Sequence, residues 1–162
     1  MHQSFTLRQF KPSDLDHIIY INQTCLPENY SRFFFSGLYE EFPETFIVAE
    51  EYGKVIGYIM CRIESGMPSF RAFRIPKRGH IISIAVLPEY RNQGVGGALI
   101  QKALEAMALY RARECYLEVR VSNHPAVNLY KKLGFKNIKA MRGYYADGED
   151  AYIMSKELGI KA

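Results

Sequence analysis

Gly94, Gly96 and Gly97 follow a charged turn, Glu89-Tyr-Arg-Asn-Gln93, and stand where an amphipathic segment begins. Behind them Val95, Leu99, Ala103 and Met107, flanked by Ile100 and Leu104, repeat at helical spacing. A helix that starts on glycines leaves the N–H groups of its first turn uncovered. Those donors, backed by the positive end of the helix dipole, bind an anion without a dedicated side chain. The expected chemistry is phosphate binding. The segment lacks the Gly-Lys-[Ser/Thr] of a nucleotide loop and the third glycine of a dinucleotide turn, and reads Arg91-x-x-Gly94-x-Gly96. The same glycines would also serve close packing of a helix on a sheet, so the segment alone leaves both readings open.

Proton-transfer groups gather in a second segment, Leu117-Glu-Val-Arg-Val-Ser-Asn123 and the following His124 to Phe135. In an alternating strand Leu117, Val119 and Val121 share one face, which turns Glu118 and Arg120 to the other. Glu118 could thus line a cleft from a rigid element, and His80 stands at the start of an upstream apolar run. On the helix expected next, Ala126, Tyr130 and Leu133 fall on one side. Each has a plain structural alternative: Tyr130 as a core residue with a wet hydroxyl, Glu118 as the partner of Arg120 or a loop cation, His80 as a hydrogen-bond partner of a neighbour. His2, His17 and His124 have no neighbours that suggest catalysis. Cys25, Cys61 and Cys115 form no Cys-x-x-Cys pair, so neither a disulfide framework nor a zinc site is expected, and no metal is required. Such cysteines are usually packing residues and not acyl carriers.

These groups need elements to hold them. Phe5 to Phe10 alternates as a short strand, and Pro12-Ser-Asp-Leu-Asp starts a helix that Leu15, Ile18, Ile19 and Asn22 continue. A second short helix is expected from about Tyr30 to Glu40. Phe46–Glu50 and Lys54–Arg62 flank Tyr52-Gly53 as a hairpin. Strand His80–Leu87 precedes the helix at Gly94, strand Cys115–Val121 follows it, and a helix from about Pro125 to Leu133 stops at Gly134. Two closing strands are expected around a hairpin turn at Asp147-Gly148. The mixed order predicts an α/β or α+β domain on one central sheet. With 162 residues, 48% of them hydrophobic, the chain suffices for one core and one domain, residues 1–162. No apolar run reaches about 18 residues and no charged-apolar-small leader opens the chain, so neither a membrane span nor a signal peptide is expected. The net charge of +4 equals the four cations Arg71, Arg74, Lys77 and Arg78. That stretch reads as a solvated loop, or as a patch for an acidic partner, cofactor phosphates or ribosomal RNA. With Phe70 and Phe73 as its only aromatics, it does not establish nucleic-acid binding.

The pattern [Gln/Arg]-x-x-Gly-x-[Gly/Ala] between a strand and a helix resembles the acetyl-CoA pyrophosphate loop of the GCN5-related N-acetyltransferases. Asn123 followed by Ala126, Leu129-Tyr130 and Leu133-Gly134-Phe135 resembles the second acetyl-CoA signature of that superfamily, in the proper order. The resemblance implies a mixed, mostly antiparallel sheet flanked by helices, with two strands splayed around the pantetheine arm of acetyl-CoA. It implies pairing of that arm with the backbone of Ile84, Ala85 and Val86. It also implies pyrophosphate contacts from the amides of Arg91, Asn92, Gln93, Gly94, Val95 and Gly96, a bond from Asn123, and the Tyr130 hydroxyl facing the departing sulfur. Leu26-Pro-Glu-Asn-Tyr30 and Gly143-Tyr-Tyr-Ala-Asp-Gly-Glu-Asp-Ala-Tyr-Ile-Met154 further resemble the catalytic subunits of the N-terminal acetyltransferase A type and their archaeal counterparts. Family precedent sets these strings on either side of a peptide entrance, which makes Glu28, Tyr30, Tyr144 and Tyr145 the substrate-binding candidates. The long C-terminal tail of eukaryotic relatives has no counterpart, so dependence on a large auxiliary subunit is not expected.

Substrate choice has a separate physical basis. An α-amino group titrates near 8 and a lysine near 10.4, so at pH 7 the free amine is a few hundredfold more abundant at a chain terminus. Modest base assistance then suffices. With the resemblance, the expectation is a cytoplasmic N-terminal acetyltransferase working by direct attack in a ternary complex, with Glu118 as the base on the amine proton, His80 sharing the task through an ordered water, Tyr130 as the acid for the thiolate, and a backbone N–H near Val86 polarising the carbonyl. Small first residues (Ser, Ala, Thr) are expected, with ribosome association open. Two alternatives stand beside it: a ribosomal-protein alanine N-acetyltransferase, and a non-catalytic CoA-binding sensor or partner-binding module.

Overall fold

The computed structural model describes residues 4–65 and 76–159. Phe70, Arg71, Phe73 and Arg74 of the basic stretch lie outside the described residues, whereas Lys77 and Arg78 open a strand. The chain runs β1 (Thr6–Gln9), α1 (Leu15–Cys25), α2 (Arg32–Glu41), β2 (Phe46–Glu51), β3 (Lys54–Ser65), β4 (Lys77–Val86), α3 (Val95–Leu109), β5 (Ala112–Arg120), α4 (His124–Lys132), β6 (Lys136–Met141) and β7 (Ala151–Glu157). The seven strands form one sheet in the order β1-β2-β3-β4-β5-β7-β6, in which only β4 and β5 run parallel.

Alternation along the strands divides the sheet into two unlike faces. Cys61, Ile81, Cys115, Leu117 and Val119 point to the face covered by α3 and α4, where Leu99, Ile100, Ala103, Met107, Val127 and Tyr130 close the larger core. Burying each such aliphatic side chain is worth roughly 1.5–3 kcal/mol. On the other face α1 and α2 pack Ile18, Ile21, Phe35 and Leu38 against Phe46, Val48, Tyr58 and Met60. That second cluster contains no residue of β5. The uncovered part of the face is therefore left to Glu114, Tyr116, Glu118 and Arg120, the alternate residues of β5. Gly79 lets α3 sit close on β4, since a Cβ there would fall 2.2 Å from the Met107 sulfur.

Two irregularities open this region. Pairing between β4 and β5 runs from Lys77↔Ala112 to His80↔Tyr116 and stops, although β4 continues to Val86 and β5 to Arg120. A register shift between β3 and β4 takes Met60↔Ser83 to Cys61↔Ile81, which leaves Ile82 as a bulged residue. Splayed strands were expected from the sequence, and the fold contains them.

One local expectation needs correcting. Asp147-Gly148 is not a two-residue hairpin between the closing strands, because β6 ends at Met141 and β7 begins at Ala151. It forms a turn inside that longer loop, closed by the Gly148 N–H on the Tyr145 carbonyl at 2.9 Å, with Gly148 at φ +91. The loop is drawn over β5 because Arg120 binds Asp147 and Glu149.

Candidate active site

Where β4 and β5 part, a cavity of about 630 Å³ opens. Its walls bring together Glu28, Tyr30, His80, Ile84, Glu118, Asn123, Tyr130, Tyr144 and Tyr145, all singled out from the sequence. Cys25, Phe34, Arg62 and Arg120 join them. Ala85, Val86 and the Arg91–Gly96 turn are not part of this lining. The Ala85 side chain is buried in the core, so only its backbone is available to a ligand.

The glycine turn stands at the start of α3. Gly94 is its N-cap, at φ +84, and Asn92 also takes positive φ at +61. The first intrahelical bond runs from the Ala98 N–H to the Gly94 carbonyl at 3.0 Å, so the N–H groups of Val95, Gly96 and Gly97 precede the ladder. Arg91 Nε donates to the Val86 carbonyl at 3.0 Å and ties the turn to the end of β4. A polar strand edge leading to a helix N-terminus suits a long ligand with an amide-bearing arm and a pyrophosphate.

The base region differs from expectation in one respect. His80 Nε2 meets Glu118 Oε2 directly at 2.7 Å, so no water is needed between them. Glu118 does not pair with Arg120. On the other side of the ring, Nδ1 lies 3.2 Å from Glu64 Oε2, and the Tyr116 ring stacks on the imidazole at 4.2 Å. Burial opposes ionisation of Glu64, but the Tyr116 hydroxyl, His80 and Arg62 outweigh it and hold the carboxyl below its ordinary value. The Tyr130 ring is buried beside Phe135, and among the described residues its hydroxyl makes no hydrogen bond. Burial pushes the Tyr130 phenol up to about 12, which keeps it protonated and able to donate at neutral pH.

Opposite these groups the two aromatic strings meet. Arg120 donates to Glu28 at 2.6 Å, to Asp147 at 2.8 Å and to Glu149 at 3.0 Å, and its guanidinium lies 4.1 Å from the centre of the Tyr145 ring. This single arginine thus clamps the 26–30 string to the 143–151 string. Tyr30 stacks on Phe34 at 4.7 Å, its N–H donates to Asn22 Oδ1, and its hydroxyl reaches the carbonyl of the bulged Ile82 at 3.5 Å. Tyr144 packs edge-on against Tyr145 and remains partly exposed. An amine entering between the strings would meet carboxylates and aromatic walls.

Sequence reasoning missed the roles of Arg120, Glu64, Arg62 and Tyr116. Strand alternation does place Arg120 with Glu118, but its partners lie in loops distant in sequence. Arg62, His80 and Tyr116 are cross-strand neighbours only in the observed register, which no local signal specifies.

The Acetyltransferase (GNAT) family matches residues 15–135. The chain belongs to this family. Over 158 residues it is 51% identical to an N-alpha-acetyltransferase of Sulfurisphaera tokodaii, covering 96% of this chain and 95% of that protein. It is 37% identical to the catalytic subunit of the N-terminal acetyltransferase A complex of Arabidopsis thaliana, covering 94% of this chain and 77% of the relative. The crystal structure of Ard1 from Thermoplasma volcanium superposes with a TM-score of 0.83 at 31% identity, covering 97% of this chain and 99% of that one. The GNAT fold expected from the two signatures is the fold found.

Proposed function

We propose that this GNAT acetyltransferase transfers the acetyl group of acetyl-CoA to the free α-amine of protein N-termini, with Ser, Ala or Thr as the first residue. The observation that carries the reading is the cavity itself, in which the directly bonded Glu118–His80 pair and Tyr130 face the Glu28–Arg120 clamp and its aromatic walls. Similarity to N-terminal acetyltransferases over nearly the whole chain supports it. Bound acetyl-CoA supplies the activated thioester. The β4 edge at Ile84, Ala85 and Val86, the turn from Arg91 through Asn92 and Gln93 to Gly96, and Asn123 would hold it. Glu118, oriented by His80, takes the proton from the amine as its lone pair attacks; a β4 N–H stabilises charge on the carbonyl oxygen; Tyr130 protonates the departing sulfur. Tyr30, Tyr144 and Tyr145 enclose the first residues of the peptide, and Glu28 orients its amine. The free Cys25, Cys61 and Cys115 suit a reducing cytoplasm, where nascent chains on ribosomes would be substrates.

Mass spectrometry of peptide products is the test. Peptides beginning Ser, Ala or Thr are expected to be acetylated at the α-amine, and N-terminally blocked, lysine-containing counterparts to be inert. Equal rates on the two sets would assign the scaffold to lysine or small amines instead.

A further inference from the structure

Glu64 lies outside the cavity wall, yet its carboxylate makes the Nδ1 contact of His80, the residue that bonds to Glu118. It is held from several sides. The Tyr116 hydroxyl donates to both of its oxygens, to Oε2 at 3.0 Å, while Arg62 and Arg78 approach at 3.4 and 3.6 Å. His80 is thus fixed at both ring nitrogens and over one face, with its side chain only 10% exposed. Contacts of 2.7 and 3.2 Å on the two ring nitrogens join the imidazole to a carboxylate on each side. Glu118, His80 and Glu64 thus form one continuous line from the cavity wall to the far side of the ring.

Resting on the function proposed above, we propose that Glu64 is a positioning residue. It locks the His80 ring through Nδ1, and its charge, transmitted through that ring, favours arrival of the amine proton at Glu118. In that step the lone pair of the neutral amine forms the C–N bond to the thioester carbonyl, the N–H bond breaks as an O–H bond forms on Glu118, and the C–S bond breaks with the sulfur leaving as a thiol on the Tyr130 proton. Removing the charge of Glu64 makes the same step less favourable, because a nearby negative charge stabilises any added proton.

The other charges around the line do not replace it. Arg62 and Arg78 are cations, and Glu114 is engaged by Arg78 at 3.7 Å. Burial raises the Tyr30, Tyr144 and Tyr145 phenols, so they are neutral across the working range, and Tyr116 is held protonated by burial and by Glu64. Glu64 is therefore the one carboxylate that faces the imidazole from the side away from the cavity among the described residues.

The test is Glu64→Gln, which keeps the shape and removes the charge, with Glu64→Asp as the variant that keeps the charge. For Glu64→Gln, kcat is expected to fall roughly ten- to a hundredfold, with the peptide KM and the acetyl-CoA Kd changed less than about twofold. The acid limb of kcat/KM against pH should move down by roughly one to two pH units, and the His80 ring titration, followed by NMR without ligands, should move in the same direction. Glu64→Asp should leave both near their wild-type positions. An acid limb and ring titration that stay in place in folded Glu64→Gln, or that move upward, overturn the proposal. If wild-type enzyme acetylates some other amine class, the function proposed above fails by itself, and the NMR arm still decides the role of Glu64.

Discussion

Replacing Gly94 by alanine probes the turn proposed to hold the pyrophosphate with a single added methyl group. Gly94 sits at φ +84 and ψ 5, a left-handed conformation that costs a residue with a Cβ roughly 1–2 kcal/mol. Nothing lies within 4 Å of the position that Cβ would take, so packing adds no penalty and the backbone alone decides. The sequence pointed to uncovered N–H donors at this turn, and the backbone conformation of Gly94 adds a second reason for glycine there. Alanine must either hold the turn under strain, which lowers stability, or relax it. In the second case binding has to restore the turn, and the acetyl-CoA Kd rises by the same 1–2 kcal/mol, about 5- to 30-fold. Gly94→Val should exceed this, since β-branching narrows the backbone choice further. Gly97→Ala is the control: its Cβ would make only an ordinary contact, 3.9 Å from Leu129, within a regular helix. Calorimetric titration with acetyl-CoA gives Kd, and thermal unfolding gives the stability change. A Gly94→Ala protein with both wild-type affinity and wild-type Tm would refute the argument, because the strain must then be absent.

Glu118→Gln and Tyr130→Phe should each lower kcat by roughly ten- to a thousandfold while leaving acetyl-CoA affinity nearly unchanged, as steady-state kinetics and calorimetry together would show. Tyr30→Ala and Tyr145→Ala should raise the peptide KM or lower kcat/KM without weakening acetyl-CoA, since both line the cavity and are proposed to enclose the peptide; Arg120→Lys should do the same by releasing the two strings from each other. Burial raises the Tyr58 and Tyr130 phenols from near 10 to about 12. A folded-state value above the unfolded one means that stability is fully present below pH 10 and falls as pH rises through 12, by up to about 3 kcal/mol for each group. Denaturant titrations at pH 9 and pH 11.5 should show this loss, and Tyr58→Phe should reduce it.

Much of the site was legible in local sequence because its parts are local devices. A helix N-terminus on glycines, an alternating strand that exposes Glu118, and a capped helix carrying Tyr130 each depend on a handful of adjacent residues. The family signature marks Asn123 as a cofactor contact, and the structure adds a local role: its side chain accepts from the Ala126 N–H at 3.3 Å and caps α4. The element order followed from hydrophobic periodicity for the same reason, with strand ends displaced by a few residues where pairing partners, not composition, set the limit.

Long-range register decided the rest. His80 faces Glu64 and Glu118 because β3, β4 and β5 align Arg62, His80 and Tyr116 side by side, and a shift of one residue would turn that row into the core. The bulge at Ile82 and the end of β4–β5 pairing at His80↔Tyr116 create the cleft, yet neither has a signature in residues 80–86 alone. Arg120 joins Glu28, Asp147 and Glu149 across 92, 27 and 29 residues of chain. By itself the sequence determined which groups could do chemistry and which local element would carry each. Tertiary structure decided which of them touch, because electrostatic and hydrogen-bond partners are chosen by distance in space, and that distance is set by strand pairing and core packing over the whole sheet.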